Sequence, residues 1–170
     1  RGTDQRPICW GHENYGGSFF DTTTGLSKLT YYHIDTNETR GDMTNQIVNV
    51  KNIYPGHKSY VALREDGTAV PWGMALYGGA GMSFKGQLTF KSQTETDYEA
   101  RTMSSHNYIS QATPVDLSGI INVFPSWGSY FAVKYDGSVV AFGMANMGGY
   151  NPPTLAKYNS SSGGFYQYKI

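Results

Sequence analysis

The chain has 170 residues, enough for one ordinary domain with a buried core. Its 13 Lys and Arg balance its 13 Asp and Glu, and only 15% of residues are charged, which excludes the basic surface that binds nucleic acid or anionic membranes. Aromatic residues reach 15% and glycines number 21, a composition typical of strands and tight turns that excludes disordered, collagen-like and long coiled-coil chains.

The first segment, residues 1–17, contains a Trp-Gly pair at Trp10 and a Tyr-Gly-Gly run that ends at Gly16 and Gly17. Cys9 is the single cysteine, so it cannot form a disulfide within the chain. Two interpretations stay open for it: a small buried apolar residue next to Trp10, or a disulfide to another chain.

Residues 18–46 are more irregular. A strand is predicted around Leu29–Ile34, after the turn-rich sequence FDTTTG, and a polar loop follows from Asp35. In this loop Arg40, Gly41 and Asp42 form the tripeptide that integrins recognise, so we note an adhesion loop as one candidate site.

Residues 47–79 have the pattern of an antiparallel meander. A strand is predicted over Ile47–Tyr54, a second over Tyr60–Arg64 and a third over Thr68–Trp72. Asp66 and Gly67 form the Asp-Gly pair that accepts positive φ in a tight hairpin, and Gly78-Gly79 allows a second sharp reversal.

Residues 80–119 give weaker signals. A strand is predicted over Gln87–Ser92, with Leu88 and Phe90 on one face, and one or two helical turns over Glu95–Met103.

Residues 120–149 repeat the earlier meander. Shifted by 70 positions, residues 50–79 align without a gap on residues 120–149 and are identical at 13 of 30 positions. A shift of 62 places Trp10, Gly16 and Gly17 on Trp72, Gly78 and Gly79, so the first segment is a truncated copy. The corresponding residues of the last copy are Asp136, Gly137, Phe142, Gly148 and Gly149.

The end of the chain, residues 165–170, alternates as a strand without an obvious partner and contains Phe165, Tyr166, Tyr168 and Ile170. We expect this strand to complete the truncated first unit, either in the same chain or in a neighbouring copy.

The motif that the two full copies share resembles the regulator of chromosome condensation repeat, in the Tyr-Gly-Gly form of large repetitive proteins of bacteria and single-celled eukaryotes. The residues that carry the resemblance are Ala62-Leu63, Asp66-Gly67, Val70, Trp72-Gly73 and Gly78-Gly79, with Ala132-Val133, Asp136-Gly137, Val140, Phe142-Gly143 and Gly148-Gly149. The resemblance implies blades of a β-propeller. It implies no single function, because such propellers serve as exchange factors, inhibitors and scaffolds.

The predicted fold class is therefore all-β: propeller-type blades of antiparallel strands, about two complete repeats plus a truncated first one. The chain is treated as a single repeat domain over residues 1–170. Trp10, Trp72 and Phe142 lie at equivalent points and are predicted to be core wedges between blades, with sugar stacking as the minority interpretation.

No sequence pattern predicts a catalytic, metal or cofactor site. The four histidines lack the spacing of metal ligands, no nucleophile motif or phosphate loop is present, and no stretch has the roughly 18 apolar residues of a membrane-spanning helix. We expect no enzyme activity, no catalytic residue, no metal, no cofactor, no nucleic-acid partner and no membrane insertion.

Two blades and a fraction are too few to close a propeller, which needs four or more. The function predicted is that of a non-catalytic structural or interaction protein that self-assembles, or docks into a larger complex, through β-strand and Tyr-rich surfaces, located outside the cell or at its surface. The alternative is a recognition module, a lectin-like binder of glycans or an enzyme inhibitor, that uses the loops between repeats. Tyrosines outside the repeats fit an interface, but ordinary packing explains them equally well.

Overall fold

The fold was analysed in a computed structural model, which describes residues 5–33, 39–84, 112–144, 147–149, 155–159 and 164–168. The described residues are mostly β-strand, as the sequence predicts, with two short 3-10 turns at Glu13–Tyr15 and Ala75–Tyr77. The strands are β1 (Phe19–Asp21), β2 (Leu26–Lys28), β3 (Thr30–Tyr32), β4 (Arg40–Asp42), β5 (Val50–Pro55), β6 (Ser59–Arg64), β7 (Ala69–Met74), β8 (Met82–Phe84), β9 (Ala112–Pro114), β10 (Ile120–Pro125), β11 (Ser129–Lys134), β12 (Val139–Met144), β13 (Leu155–Asn159) and β14 (Gly164–Tyr168).

Two five-stranded sheets with the same arrangement form the described core. Sheet I has the order β4-β3-β7-β6-β5, and sheet II has the order β9-β8-β12-β11-β10. In each sheet a meander of three six-residue strands is joined by a short parallel ladder to a short antiparallel pair, β3 with β7 in sheet I and β8 with β12 in sheet II. The two meanders are the segments that the sequence aligns at a shift of 70.

Asp-Gly turns close the hairpins at the predicted points. Asp66 accepts a hydrogen bond from the Thr68 backbone N–H at 2.9 Å, and Asp136 accepts one from Ser138 at 2.9 Å. The glycine of each turn has positive φ, 82° at Gly67. These bonds stabilise the ionised carboxyl, so the Ser138 hydroxyl and backbone N–H hold the pKa of Asp136 below its usual value.

Successive side chains of a strand point to opposite faces of the sheet, and both faces of each meander carry apolar residues. We call the face with Tyr60, Ala62, Val70 and Trp72, and its counterpart in sheet II, the leading face. The opposite one, with Val61, Leu63 and Ala69 in sheet I, is the trailing face.

The sheets pack face to face. The trailing face of sheet I packs against the leading face of sheet II, where Tyr130, Ala132 and Phe142 are buried. The leading face of sheet I packs against the N-terminal part of the chain, where Cys9, Leu29 and Ile47 contact it. The described core is therefore a stack in which a trailing face meets the next leading face.

Some predicted boundaries are wrong. The strand predicted over Ile47–Tyr54 begins only at Val50, because Asn49 has φ 54° and breaks the extended conformation, while Ile47 is buried beneath sheet I. The strand predicted around Leu29–Ile34 is the shorter β3, and Ile34 lies outside the described residues. The strand at Gln87–Ser92 and the helical turns at Glu95–Met103 lie outside them too.

The predicted C-terminal strand has a partner that the sequence did not indicate. β14 pairs with β13 in an antiparallel two-stranded sheet. Phe165, Tyr166 and Tyr168 lie in β14, whereas Ile170 is outside the described part of the chain. Among the described strands, β14 joins neither five-stranded sheet.

Where the structure describes the chain, none of its helical segments has the length and apolarity needed to cross a membrane.

Candidate functional site: the joints and end faces of the sheet stack

A stacked aromatic pair occupies the leading face of each sheet. Tyr60 and Trp72 stack at 5.2 Å between ring centroids in sheet I, and Tyr130 and Phe142 stack at 5.2 Å in sheet II. The rings face each other because the residues are cross-strand partners in the ladders. Trp72 and Phe142 are fully buried.

A Tyr-Gly-Gly corner from the preceding unit covers each aromatic pair. Gly16 has φ 101°, and a Cβ there would lie 2.4 Å from Tyr60 Cδ2. Gly78 has φ 95°, and a Cβ there would lie 2.7 Å from Tyr130 Cδ2. Only glycine combines that backbone conformation with so close an approach to a ring, which explains why these positions are glycine.

Hydrogen bonds fix how each corner sits on its aromatic pair. The Trp72 indole N–H donates to the Gly16 carbonyl at 2.9 Å, a buried bond. In the next joint the Tyr130 hydroxyl donates to the Ser59 carbonyl at 2.8 Å and lies 2.9 Å from the Ser59 hydroxyl. Burial raises the pKa of Tyr130, so its hydroxyl remains a neutral donor at ordinary pH.

Ser59 organises this joint, a role that the sequence patterns did not indicate. Its hydroxyl donates to the Tyr77 carbonyl at 2.7 Å and so holds the corner in place. Ser129 makes the same bond to the Met147 carbonyl at 2.5 Å. The signal was available, since Ser59 and Ser129 are identical under the shift of 70.

Trp10 is a correction to the sequence-based assignment. The Trp-Gly turn is formed as at Trp72, with φ 112° at Gly11 against 103° at Gly73. However, the Trp10 side chain is 86% exposed, and Ile8 is 88% exposed. Trp72 is buried because Tyr60 and the Gly16 corner cover it, whereas residues 5–10 belong to no described strand and nothing in the described chain covers Trp10.

The opposite end of the described stack also exposes apolar side chains. The trailing face of sheet II exposes 42% of Phe131 and 49% of Val139, and the corner glycine Gly148 is exposed. Their counterparts at the shift of 70, Val61, Ala69 and Gly78, are all buried in the joint between the sheets. Equivalent positions of the two sheets are thus exposed in sheet II and buried in sheet I.

The predicted adhesion loop is a strand. Arg40, Gly41 and Asp42 form β4, which pairs with β3. The Arg40 guanidinium lies over the rings of Phe19 and Tyr32, at 4.5 and 4.9 Å from their centroids.

Hydrogen bonds hold Arg40 in this place. Its guanidinium donates to Thr30 Oγ1 at 2.8 Å and to Asn14 Oδ1. The tripeptide therefore lies in a strand rather than in a loop, and its arginine is engaged within the chain.

An aromatic corner that the sequence did not predict lies at the β5–β6 and β10–β11 turns. His57 and Trp127, which correspond under the shift of 70, stack at 4.9 Å, and Tyr77 packs edge-on to Trp127 at 5.5 Å. The Lys58 ammonium lies between the rings of Tyr15 and Tyr77, at 4.9 and 5.1 Å. These contacts make a second connection between successive units.

The cysteine is partly buried against the leading face of sheet I, and burial raises the pKa of the Cys9 thiol. In the described ranges, no group of three or more His, Cys, Asp or Glu side chains is placed to hold a metal ion. No protein-family model matches the chain, and no curated protein matches it either.

Proposed function

We propose that this protein is a non-catalytic structural protein that assembles with copies of itself through the apolar faces at the ends of its sheet stack. One observation carries the proposal: Phe131 and Val139 are exposed on the trailing face of sheet II, whereas their counterparts in sheet I are buried in a joint. A face that carries the same kinds of apolar residues as the buried joint, but is exposed, is favourable for binding another β unit.

The apolar area exposed on that face favours association. Burying a whole Phe or Val side chain stabilises by about 1.5–3 kcal/mol, so covering half-exposed ones contributes roughly 1 kcal/mol each. The zero net charge means that no long-range repulsion opposes contact between copies. Association of this kind is concentration-dependent rather than permanent.

The architecture proposed for the units is that of propeller-type blades, similar to the regulator of chromosome condensation repeat. The common strand order of sheets I and II and their face-to-face packing support this proposal. Blades of a propeller bury both faces against neighbours. A stack with two open faces is therefore suited to joining further blades.

The test is the mass in solution measured by sedimentation velocity over a hundred-fold range of concentration. We expect the mass of the intact chain to rise with concentration. Val139→Asp, which places a charge on the exposed trailing face, should abolish the rise. Leu26→Asp is the matched control, because Leu26 is exposed in β2, outside either face.

A wild-type chain that stays at monomer mass over the whole range would contradict self-assembly. Saturable binding of that monomer to a glycan array or to a captured protein would then favour the recognition module.

A further inference from the structure

We infer that the copies join head to tail, with the surface that carries Ile8 and Trp10 docked on the trailing face of sheet II of the next copy. This inference rests on the proposed self-assembly and adds which surfaces meet and through which contacts. It follows from the joint that the structure already contains twice, between the N-terminal segment and sheet I and between sheets I and II.

The first joint provides the template for Trp10. There the indole N–H of Trp72 donates to the Gly16 carbonyl, and the ring is buried against the corner that ends in Gly16. Trp10 corresponds to Trp72 and is followed by a glycine of the same conformation. Its exposed indole therefore offers the same donor and the same ring to a glycine corner such as Met147-Gly148-Gly149.

The receiving corner is already formed at the other end of the molecule. Gly148 has φ 90° against 95° at Gly78, and Ser129 anchors this corner just as Ser59 anchors its counterpart. No described ring presses on it, since the closest described atoms to a Cβ at Gly148 would lie at the ordinary contact distance of 3.6 Å, on Phe131 and Ser129. At Gly78 the rings of the next unit occupy that space.

The apolar parts of the two surfaces also match. Ile8 and Trp10 point outward while Cys9 between them points into the core, as Val70 and Trp72 point to the leading side of β7. A groove of about 330 Å³ beside them, lined by Ile8, Trp10, Ile53 and Tyr60 among others, has room for an incoming aromatic side chain. Phe131 is the exposed aromatic of the partner face.

A contact between two different surfaces of the same chain is heterologous. Each copy then has one open donor surface and one open receiving surface, so assembly proceeds as an open chain or a ring rather than as a closed two-fold dimer. In the assembled state Trp10 of each copy is buried and its indole N–H bonds to the Gly148 carbonyl of the next copy.

The test uses two full-length chains that are each blocked at one end. Trp10→Asp keeps the receiving face, and Val139→Asp keeps the Trp10 surface. Both positions are exposed, so folding is preserved, and both changes add the same charge, so the blocked ends do not attract each other. Each variant alone should associate at least ten-fold more weakly than wild type, while their equimolar mixture should form a complex of two chains and nothing larger.

The outcomes separate this inference from the proposed function. If Trp10→Asp associates as strongly as the wild-type chain, or if the mixture gives no two-chain complex, the copies meet through other surfaces and the head-to-tail inference is overturned while self-assembly stands. If the wild-type chain itself never associates, the proposed function fails and the inference fails with it.

A second readout guards against a folding defect in the Asp variants. The tryptophan emission of the intact chain should shift to shorter wavelength as concentration rises, because Trp10 leaves water. In Trp10→Phe, which keeps an aromatic ring, this shift should be lost or strongly reduced while association is retained in part. A shift of unchanged size in Trp10→Phe would count against burial of Trp10.

Discussion

The Tyr130 hydroxyl is a single polar group that joins two sheets through buried hydrogen bonds. We expect Tyr130→Phe to reduce the free energy of unfolding by about 1–2 kcal/mol, because the ring still packs on Phe142 but Ser59 loses a partner in a buried place. Chemical denaturation monitored by circular dichroism measures the loss.

Tyr135→Phe is the matched control, since Tyr135 is exposed in the hairpin turn. Its effect should stay within about 0.5 kcal/mol. Equal effects of the two substitutions would mean that the Tyr130 hydroxyl contributes nothing specific to the joint.

Residue identity alone did not decide burial. Trp10 and Trp72 follow the same local pattern and begin equivalent glycine turns, yet one is exposed and the other fully buried. The difference comes from what covers each ring, namely Tyr60 and the Gly16 corner in one case and no described neighbour in the other. Burial depends on tertiary contacts, and the sequence pattern indicates only that a residue of this type tends to be buried.

At the scale of elements, the glycine corners at Gly78 and Gly148 offer a matched pair of substitutions. Gly78→Ala and Gly148→Ala both place a side chain at positive φ, at a cost of about 1–2 kcal/mol. At Gly78 the new Cβ would also press on the Tyr130 ring, which adds roughly 1–3 kcal/mol, whereas at Gly148 it would make only ordinary contacts at 3.6 Å.

We therefore expect Gly78→Ala to be the more destabilising of the two by about 1–3 kcal/mol in thermal unfolding. The comparison is made at low concentration, where Gly148 is uncovered. Equal losses of stability would show that the approach of the Gly78 corner to Tyr130 carries no energetic weight.

The hairpins were predictable, and the ladders between distant segments were not. An Asp-Gly pair between alternating runs specifies a turn and its two strands locally, so the β6–β7 and β11–β12 hairpins follow from a few residues. The parallel pairing of β3 with β7 depends on segments about forty residues apart, for which no local pattern exists. Pro71 is buried in β7 just before Gly73 and Met74, the residues that pair with β3, so its missing backbone N–H leaves that ladder intact.

For the molecule as a whole, an aromatic pair lies under a glycine corner at both described joints, and at the joint between the two sheets a trailing face packs on a leading face. A one-dimensional array of this kind derives its stability from contacts between neighbours, so its ends are its weakest part. The exposure of Phe131 and Val139 at one end and of Ile8 and Trp10 at the other follows from that arrangement.

The chemistry of these end faces predicts how assembly responds to solution conditions. The surfaces proposed to meet are apolar and the chain has no net charge, so salt has little electrostatic attraction or repulsion to screen. We expect the mass at a fixed protein concentration to be unchanged or larger when NaCl is raised from about 0.05 to 1 M, over which the screening length falls several-fold.

Cooling the sample should have the opposite effect, because the free energy gained by burying apolar surface weakens at low temperature. Sedimentation at about 5 and 30 °C, with sulfate as a salt that strengthens apolar burial, checks this directly. Dissociation in 1 M NaCl combined with tighter association in the cold would show that ion pairs or hydrogen bonds hold the copies together, and the apolar end faces would then not be the surfaces that join them.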